Sequence, residues 1–199
     1  NNITAPESWP DTLPLRMLGS DDSFVEDNNI NQSEDTGSAH YGIYLVDSIN
    51  NTFNRNTFNY GLASWPFFFS VSEKRFYNHS INESNTVEGR QIYYYFDQDG
   101  VRFENQVMNL GHLYLIWSDD VFLDNLTVNF TIQLEHSNNI TLQNITSQDA
   151  QLGVQCILCN NFTFRKGSMS GHGFTAMDIQ GDNVIIDDLT YQIPALYAG

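Results

Sequence analysis

The chain has 199 residues, and charged residues make up only 16% of it, with 8 Lys and Arg against 24 Asp and Glu. The formal net charge of −16 at pH 7 excludes nucleic acid and anionic lipid as partners, because both would be repelled. No run approaches the roughly 18 to 20 apolar residues of a membrane span, so membrane insertion is not expected.

Residues 1–39 are acidic and show no repeat. Pro6, Pro10 and Pro14 are spaced through their first part, and prolines favour extended chain. We therefore predict an acidic extended N-terminal arm over residues 1–39. Its apolar residues are too many for a disordered tail, so the arm is expected to lie along the next domain, cap its first turn or dock on a neighbouring molecule.

Two aromatic runs, Trp65–Phe69 and Ile92–Phe96, flank a polar stretch at residues 78–91. One interpretation is two core strands joined by a surface loop. The alternative is an aromatic patch that stacks on sugar rings or on a partner protein.

From residue 99 onwards a short motif recurs, in which two Asp, Asn or Gly residues precede an apolar–any–apolar triplet. The first apolar residues are Val101, Val121, Ile140, Phe162 and Val184, at spacings of 20, 19, 22 and 22 residues. Asx and Gly tolerate left-handed backbone and turn the chain, and the triplet alternates as a short strand does. Such units fit one turn of a solenoid, whereas a β-sandwich would leave the constant interval unexplained.

We therefore predict an all-β fold, a right-handed parallel β-helix (β-solenoid) over residues 40–199, preceded by the extended arm. Two inward columns should form the core: Val101, Phe103, Val121, Leu123, Ile140, Leu142, Phe162, Phe164, Val184 and Ile186. Polar residues before the strands should stack as ladders between turns. These are Asp99, Asp119, Asn138, Asn160 and Asp182, beside Gly100, Asp120, Asn139, Asn161 and Asn183.

Four stretches carry a family resemblance: Tyr41–Leu45, Ser48–Thr52, Ser84–Tyr94 and Ser137–Leu142. They resemble the repeats of NosD-like proteins, which overlap the carbohydrate-binding and sugar-hydrolysis (CASH) class of right-handed β-helices in archaeal and bacterial surface proteins. The resemblance spans about residues 40–190 and implies the fold and a surface location. It implies no single activity, because members serve copper-site maturation, glycan handling and scaffolding.

Cys156 and Cys159 are the two cysteines of the chain. A zinc site needs further ligands, and residues three apart in an extended strand point to opposite faces. The residues alone leave buried free thiols and a local disulfide both open, which makes the pair a disulfide candidate. The histidines share no single position of the repeat, so no copper or other metal site is predicted: His40, His79, His112, His136 and His172.

Four carboxylates offer the nearest approach to the acid pairs of polysaccharide lyases and hydrolases: Asp97, Asp99, Asp119 and Asp120. Between Arg102 and Arg165 no Lys or Arg is present to stabilise an anionic sugar. We interpret the cluster as solvated turn carboxylates and predict no catalytic residue, no metal and no cofactor.

Ten Asn-X-Ser/Thr sequons are present, and several fall inside the repeat, where ladder chemistry explains them as well as glycosylation does. Asn78 and Asn82 lie in the polar stretch and are the better glycosylation candidates, followed by Asn2 and Asn31. The sequons favour an extracellular protein.

Together these features predict an extracellular structural β-solenoid, self-assembling into a cell-surface layer, sheath or filament, rather than an enzyme. The physical motive is that open solenoid ends carry unpaired strand edges. Expected partners are other copies, through residues 1–39 and 184–199, neighbouring surface proteins, and glycans. The alternatives are a glycan-binding or polysaccharide-degrading β-helix module and a NosD-like copper-associated protein.

Overall fold

The structure is a computed structural model that describes residues 2–4, 15–31, 40–59, 64–105, 110–148, 152–170 and 175–192. The chain divides into two compact units, Asn1–Tyr93 and Tyr94–Gly199. In each unit short strands pair in parallel with the equivalent strands of the preceding and following turns. This arrangement confirms the predicted parallel β-solenoid.

The turns of the first unit have three faces. The strands are β1 (Asn2–Thr4), β2 (Leu15–Leu18), β3 (Phe24–Glu26), β4 (Asn29–Asn31), β5 (His40–Val46), β6 (Thr52–Asn54), β7 (Thr57–Asn59), β8 (Ser64–Phe69), β9 (Ser80–Ile81) and β10 (Thr86–Val87). One face is β2-β5-β8, the next is β3-β6-β9, and the third runs β1-β4-β7-β10. A 3₁₀ helix, Lys74–Tyr77, precedes β9, and β11 (Arg90–Phe96) begins antiparallel to β10.

Residues 15–31 form a complete turn, which corrects the expectation that residues 1–39 hold no turns. Leu15 lies opposite Ile43, and the backbone N–H of Ser20 donates to Ser48 Oγ at 3.0 Å, 28 residues further on. The sequence pattern did not reveal this turn, because equivalent residues of the first unit lie about 28 residues apart. The motif of the second half recurs at the shorter spacing of 19 to 22 residues. Residues 5–14 and 32–39 lie outside the described residues.

The polar stretch 78–91 is also part of a turn, which corrects its interpretation as a surface loop. Within it β9 pairs with β6 and β10 pairs with β7. Its inward side chains Ile81, Asn85 and Val87 are buried. Each inward strand here is only two residues long, so the stretch has too few apolar residues for its pattern to stand out.

The second unit is built from the later part of β11 and from longer strands. These are β12 (Arg102–Glu104), β13 (Leu110–Ile116), β14 (Phe122–Val128), β15 (Ile132–Glu135), β16 (Asn138–Gln148), β17 (Leu152–Ser170) and β18 (Thr175–Gln192). β17 pairs with β15 and then with β16, so one strand passes through several faces of a turn. β18 follows β17 along almost its whole length.

The predicted core columns of the second unit are confirmed in the middle turns. Six of the predicted residues are almost fully buried: Val121, Leu123, Ile140, Leu142, Phe162 and Phe164. Val101 and Phe103, on and beside β12, are half-buried. Val184 and Ile186 occupy the predicted column positions opposite Phe162 and Phe164, yet they are 38% and 50% exposed.

The chain bends at residues with left-handed backbone, most of them Asp or Asn. In one corner of the second unit these are Asp120, Asn139, Asn161 and Asn183, with φ between 53° and 57°. Asx residues adopt this conformation at little energetic expense, which explains why the repeat places them before each strand. No helix in the part of the chain that the structure describes is long and apolar enough to cross a membrane.

Candidate functional site

Asn and Asp side chains at the outer corners of the second unit form the predicted ladders. Asn139 Nδ2 donates to Asp120 at 3.0 Å, and Asn161 Nδ2 donates to Asn139 at 3.0 Å. Asn183 Nδ2 then donates to Asn161 at 3.1 Å. The ladder of Asx residues before the strands is therefore structural, because each amide bonds the turn before it.

Ladder bonds also occupy three of the four carboxylates of the predicted acidic cluster. Asp99 accepts the backbone N–H of Asp119 at 3.0 Å. Asp119 accepts both the backbone N–H and the side-chain amide of Asn138 at 2.8 Å. Within the described residues no group of three or more His, Cys, Asp and Glu side chains is placed to hold a metal ion. The contacts of Asp99, Asp119 and Asp120 join successive turns instead of forming an acid pair.

Corners of the first unit are linked in the same way, and Arg55 adds ion pairs with two acidic residues. Arg55 Nε and Nη2 donate to the two carboxylate oxygens of Asp27 at 2.7 and 2.8 Å, and Glu26 lies 3.6 Å from the same guanidinium. The hydrogen bond from Arg55 lowers the pKa of Asp27. Both side chains are largely exposed, so the pair contributes little to stability.

A buried asparagine ladder inside the first unit was not predicted. Asn28 donates its side-chain amide to Asn56 Oδ1 at 3.0 Å, and Asn56 donates to Asn85 Oδ1 at 2.9 Å. Asn56 Nδ2 also reaches the Val25 carbonyl at 2.8 Å. All three asparagines are buried. A signal was present, since each lies two residues before an apolar residue at intervals of 28 and 29 residues.

Two of the described histidines, one in each unit, are buried. His79 Nδ1 accepts the Asn51 backbone N–H at 3.3 Å, and burial lowers the pKa of His79 to about 4. His112 stacks on Tyr114 with centroids 4.2 Å apart, and burial lowers its pKa to about 3, against a smaller opposing effect of Gln133. Neither His112 nitrogen has a hydrogen-bond partner of ordinary geometry among the described residues. These are neutral packing groups.

Cys156 and Cys159 form a disulfide, with their Cα atoms 5.9 Å apart. The expectation that the two side chains point to opposite faces is wrong. Leu158 between them has left-handed backbone, with φ 54°, and the β17–β18 register shifts at this point. This irregularity turns both sulfurs inward, where both residues are fully buried.

The predicted glycosylation candidates differ in how their amides are engaged. Asn82 Nδ2 donates to Asn54, and Asn31 Oδ1 accepts from Asn59 at 3.0 Å, so both belong to ladders. Asn78 is exposed and follows the 3₁₀ helix. Asn2 lies in β1, opposite Asn29. Of the three candidates whose side chains are described, Asn78 is therefore the one that stands outside these ladders.

An aromatic cluster covers the outer face of β5 and β8. Its members are Tyr41, Tyr44, Trp65 and Phe68, all half-buried. Tyr44 and Phe68 stack at 5.4 Å with an interplanar angle of 12°, and Arg16 lies 5.5 Å over the Tyr44 ring. The Tyr41 ring is tilted against its neighbours, by 49° against Phe68 at 4.3 Å and by 30° against Trp65 at 5.6 Å.

The last described strand leaves an apolar surface. Among the described residues β18 pairs only with β17. The exposed large apolar side chains on β18 are Val184, Ile185, Ile186 and Tyr191, exposed by between 38% and 52%. We call this surface the open end of the second unit.

Comparisons with family models, with curated proteins and with solved structures find no match for this chain. The fold itself defines the class of protein, a parallel β-solenoid, which is compatible with a structural or a binding role.

Proposed function

We propose that the protein is an extracellular structural β-solenoid that joins with copies of itself or with neighbouring surface proteins in a cell-surface layer, sheath or filament. The observation that carries this proposal is the open end. Val184 and Ile186 continue two columns whose previous members, Phe162 and Phe164, are fully buried, so a further layer would bury them too.

Two features support an extracellular location. The Cys156–Cys159 disulfide persists in oxidising compartments and is rare where thiols are kept reduced. The exposed ladders of uncharged Asn amides also suit a structural surface outside the cell. The ladder engagement of Asp99, Asp119 and Asp120 supports a structural role over a catalytic one.

Surface labelling of intact source cells and an electron micrograph of the native material test this function together. The expected result is a labelled protein within an ordered layer, sheath or filament. A monodisperse protein found only inside the cell would contradict the proposal. Steady turnover of a polysaccharide, lost in Asp119→Asn with the fold intact, would favour the enzymatic alternative.

Glycan binding is a second candidate, favoured by the aromatic cluster on β5 and β8. If it is correct, Trp65→Ala should abolish binding on a glycan array, while Phe24→Ala, which removes a 75% exposed ring on β3, should not. Equal binding by both variants would remove this candidate.

A further inference from the structure

The outer ladders of the second unit have a direction. In each corner contact the amide nitrogen belongs to the later turn and the accepting oxygen to the turn before it, as in the bonds of Asn139 to Asp120 and Asn183 to Asn161. On the strand face one contact runs the other way, from Gln155 to Asp178. At the open end this order leaves an acceptor, because no described residue donates to Asn183 Oδ1. A layer added there continues the ladder only if it brings donors.

The charge on β18 also favours a partner strand that brings hydrogen-bond donors. Between residues 175 and 192 the sequence contains four Asp residues and no Lys or Arg: Asp178, Asp182, Asp187 and Asp188. The left-handed corner residues of this strand are Asn183 and Asp188, five positions apart. A strand that covers the open end therefore meets aliphatic side chains between two corners that are rich in carboxylate and amide oxygens.

The turn formed by residues 15–31 has acidic corners, which do not supply the donors that the open end requires. Its left-handed residues Asp22 and Asp27 share the five-residue spacing, and Asp21 and Glu26 stand beside them. Among the described residues β1 already pairs with β4, so β2 and β3 are the edge strands of this turn. Stacked on the open end of another copy, these edges would set Asp21 against Asp182, with Glu26 and Asp27 near Asp187 and Asp188. Like charges placed opposite each other disfavour such a joint.

Strand β16 shows what a fitting partner looks like. Its corners are Asn139 and Asn144, again five residues apart, with Ile140 and Leu142 facing inward between them. Residues 138–148 carry no charged side chain. A strand of this kind supplies amide donors at both corners and aliphatic contacts between them.

We infer that the open end of the second unit receives a β-strand of a different protein, with Asn, Gln, Lys or Arg at corners five residues apart and aliphatic residues between. This inference rests on the proposed structural function and narrows its partner, making the joint heterotypic at neutral pH. Recognition is by strand addition, in which backbone bonds supply affinity and the corners supply specificity.

Two synthetic peptides from this sequence test the inference on the intact protein. One is residues 138–148, with amide corners, and the matched control is residues 21–31, of equal length with acidic corners. At pH 7 and low salt, fluorescence anisotropy should show the amide peptide binding about tenfold or more tightly than the acidic one. Equal affinities, or no binding of the amide peptide at millimolar concentration, would overturn the inference.

Variants locate the binding and separate it from self-association. Ile186→Asp, in an open column, should weaken the amide peptide about tenfold, while Ile185→Asp, on the opposite face of the same strand, should change its affinity little. Asp182→Asn combined with Asp188→Asn should allow the acidic peptide to bind. Intact protein that self-associates at pH 7 through Ile186 would make a second copy the partner and overturn the heterotypic joint. Cell-surface imaging tests the proposed structural function separately, so the function and the heterotypic joint can each be contradicted without the other.

Discussion

In the first unit a polar residue follows most left-handed corners, whereas in the second unit an apolar residue follows most of the Asx corners, as Val121, Ile140 and Phe162 do. After the third corner the first unit has Asn28 and Asn56, and the second has Leu126 and Ile145. The buried asparagines bond the backbone and side chains of adjacent turns. The aliphatic residues contribute packing alone.

This difference shows that one fold can fix its register in two ways. Directional hydrogen bonds in the first unit penalise any slip between turns, because a slip leaves buried amides unpaired. Inside the second unit the matching positions hold stacked apolar side chains, in addition to the Asx ladders at its outer corners. Its glycines also leave no free space: an added Cβ would come 2.1 Å from the Phe164 ring at Gly167 and 1.6 Å from the Cys159 carbonyl oxygen at Gly181. The two units should therefore respond differently to matched substitutions.

The largest expected effect is in the apolar unit. Ile140→Asp places a carboxylate in the middle of a fully buried column and should destabilise the second unit by about 5 kcal/mol, enough to prevent its folding. Thr141→Asp, on the outward side of the same strand, is the control and should change the unfolding free energy by less than about 1 kcal/mol. Urea unfolding measures both, and a small effect of Ile140→Asp would show that this alignment of the core is incorrect.

Asn56→Ala should break the polar unit nearly as severely. It removes the acceptor for two Asn28 donors and the donor to Asn85, and it leaves buried polar atoms unpaired. We expect a loss of about 3 kcal/mol in the free energy of unfolding of the first unit. Asn54→Ala, in the more exposed outer ladder, is the matched control with an expected loss of about 0.5 kcal/mol. Equal losses would mean that burial of the ladder adds nothing.

Acid should weaken both units through their buried histidines. The pKa of His79 falls from 6.5 to about 4 and that of His112 from 6.5 to about 3, so the unfolded chain binds more protons than the folded chain. Their stabilisation is complete above pH 6.5 and is lost as pH falls towards the folded values, by about 3 kcal/mol for His79.

Thermal unfolding between pH 7 and pH 4 measures this loss. His79→Gln keeps an acceptor for the Asn51 N–H and should flatten the acid slope for the first unit. His136→Gln is the control, because this imidazole is only partly buried and belongs to the second unit. An unchanged slope in His79→Gln would assign the acid sensitivity to the carboxylates.

The sequence predicted the second unit far better than the first, for a physical reason. Apolar triplets such as Ile140–Leu142 and Phe162–Phe164 recur at nearly constant spacing, so both their burial and the Asx corners before them could be predicted. The turns of the first unit are longer and bury the polar residues Asn56, Asn85 and His79. A pattern of apolar residues does not predict the burial of polar ones. The residues alone did not distinguish a disulfide from free thiols, because no periodicity predicts the left-handed backbone of Leu158 that turns Cys159 inward.

The smallest expected effect concerns the corner of the turn at Leu158, where the two units place different residues. The first unit has Gly19 and Asp47 there, whereas the second has Asp97 and then Trp117, His136 and Leu158, these four with φ between 52° and 55°. Trp117 and His136 stack at 4.4 Å with an interplanar angle of 8°, which offsets their backbone strain.

Leu158 is 58% exposed and therefore gains less from contact with its neighbours. Leu158→Asn should relieve part of a left-handed strain of about 1 to 2 kcal/mol and raise the free energy of unfolding by about 0.5 to 1 kcal/mol. Leu158→Val, whose branched Cβ tolerates this backbone worst, should lower it instead. The urea midpoint at unchanged slope measures both variants. A destabilising Leu158→Asn would show that contact of the leucine with its neighbours outweighs the strain, and that the second unit builds this corner from packing as it builds its core.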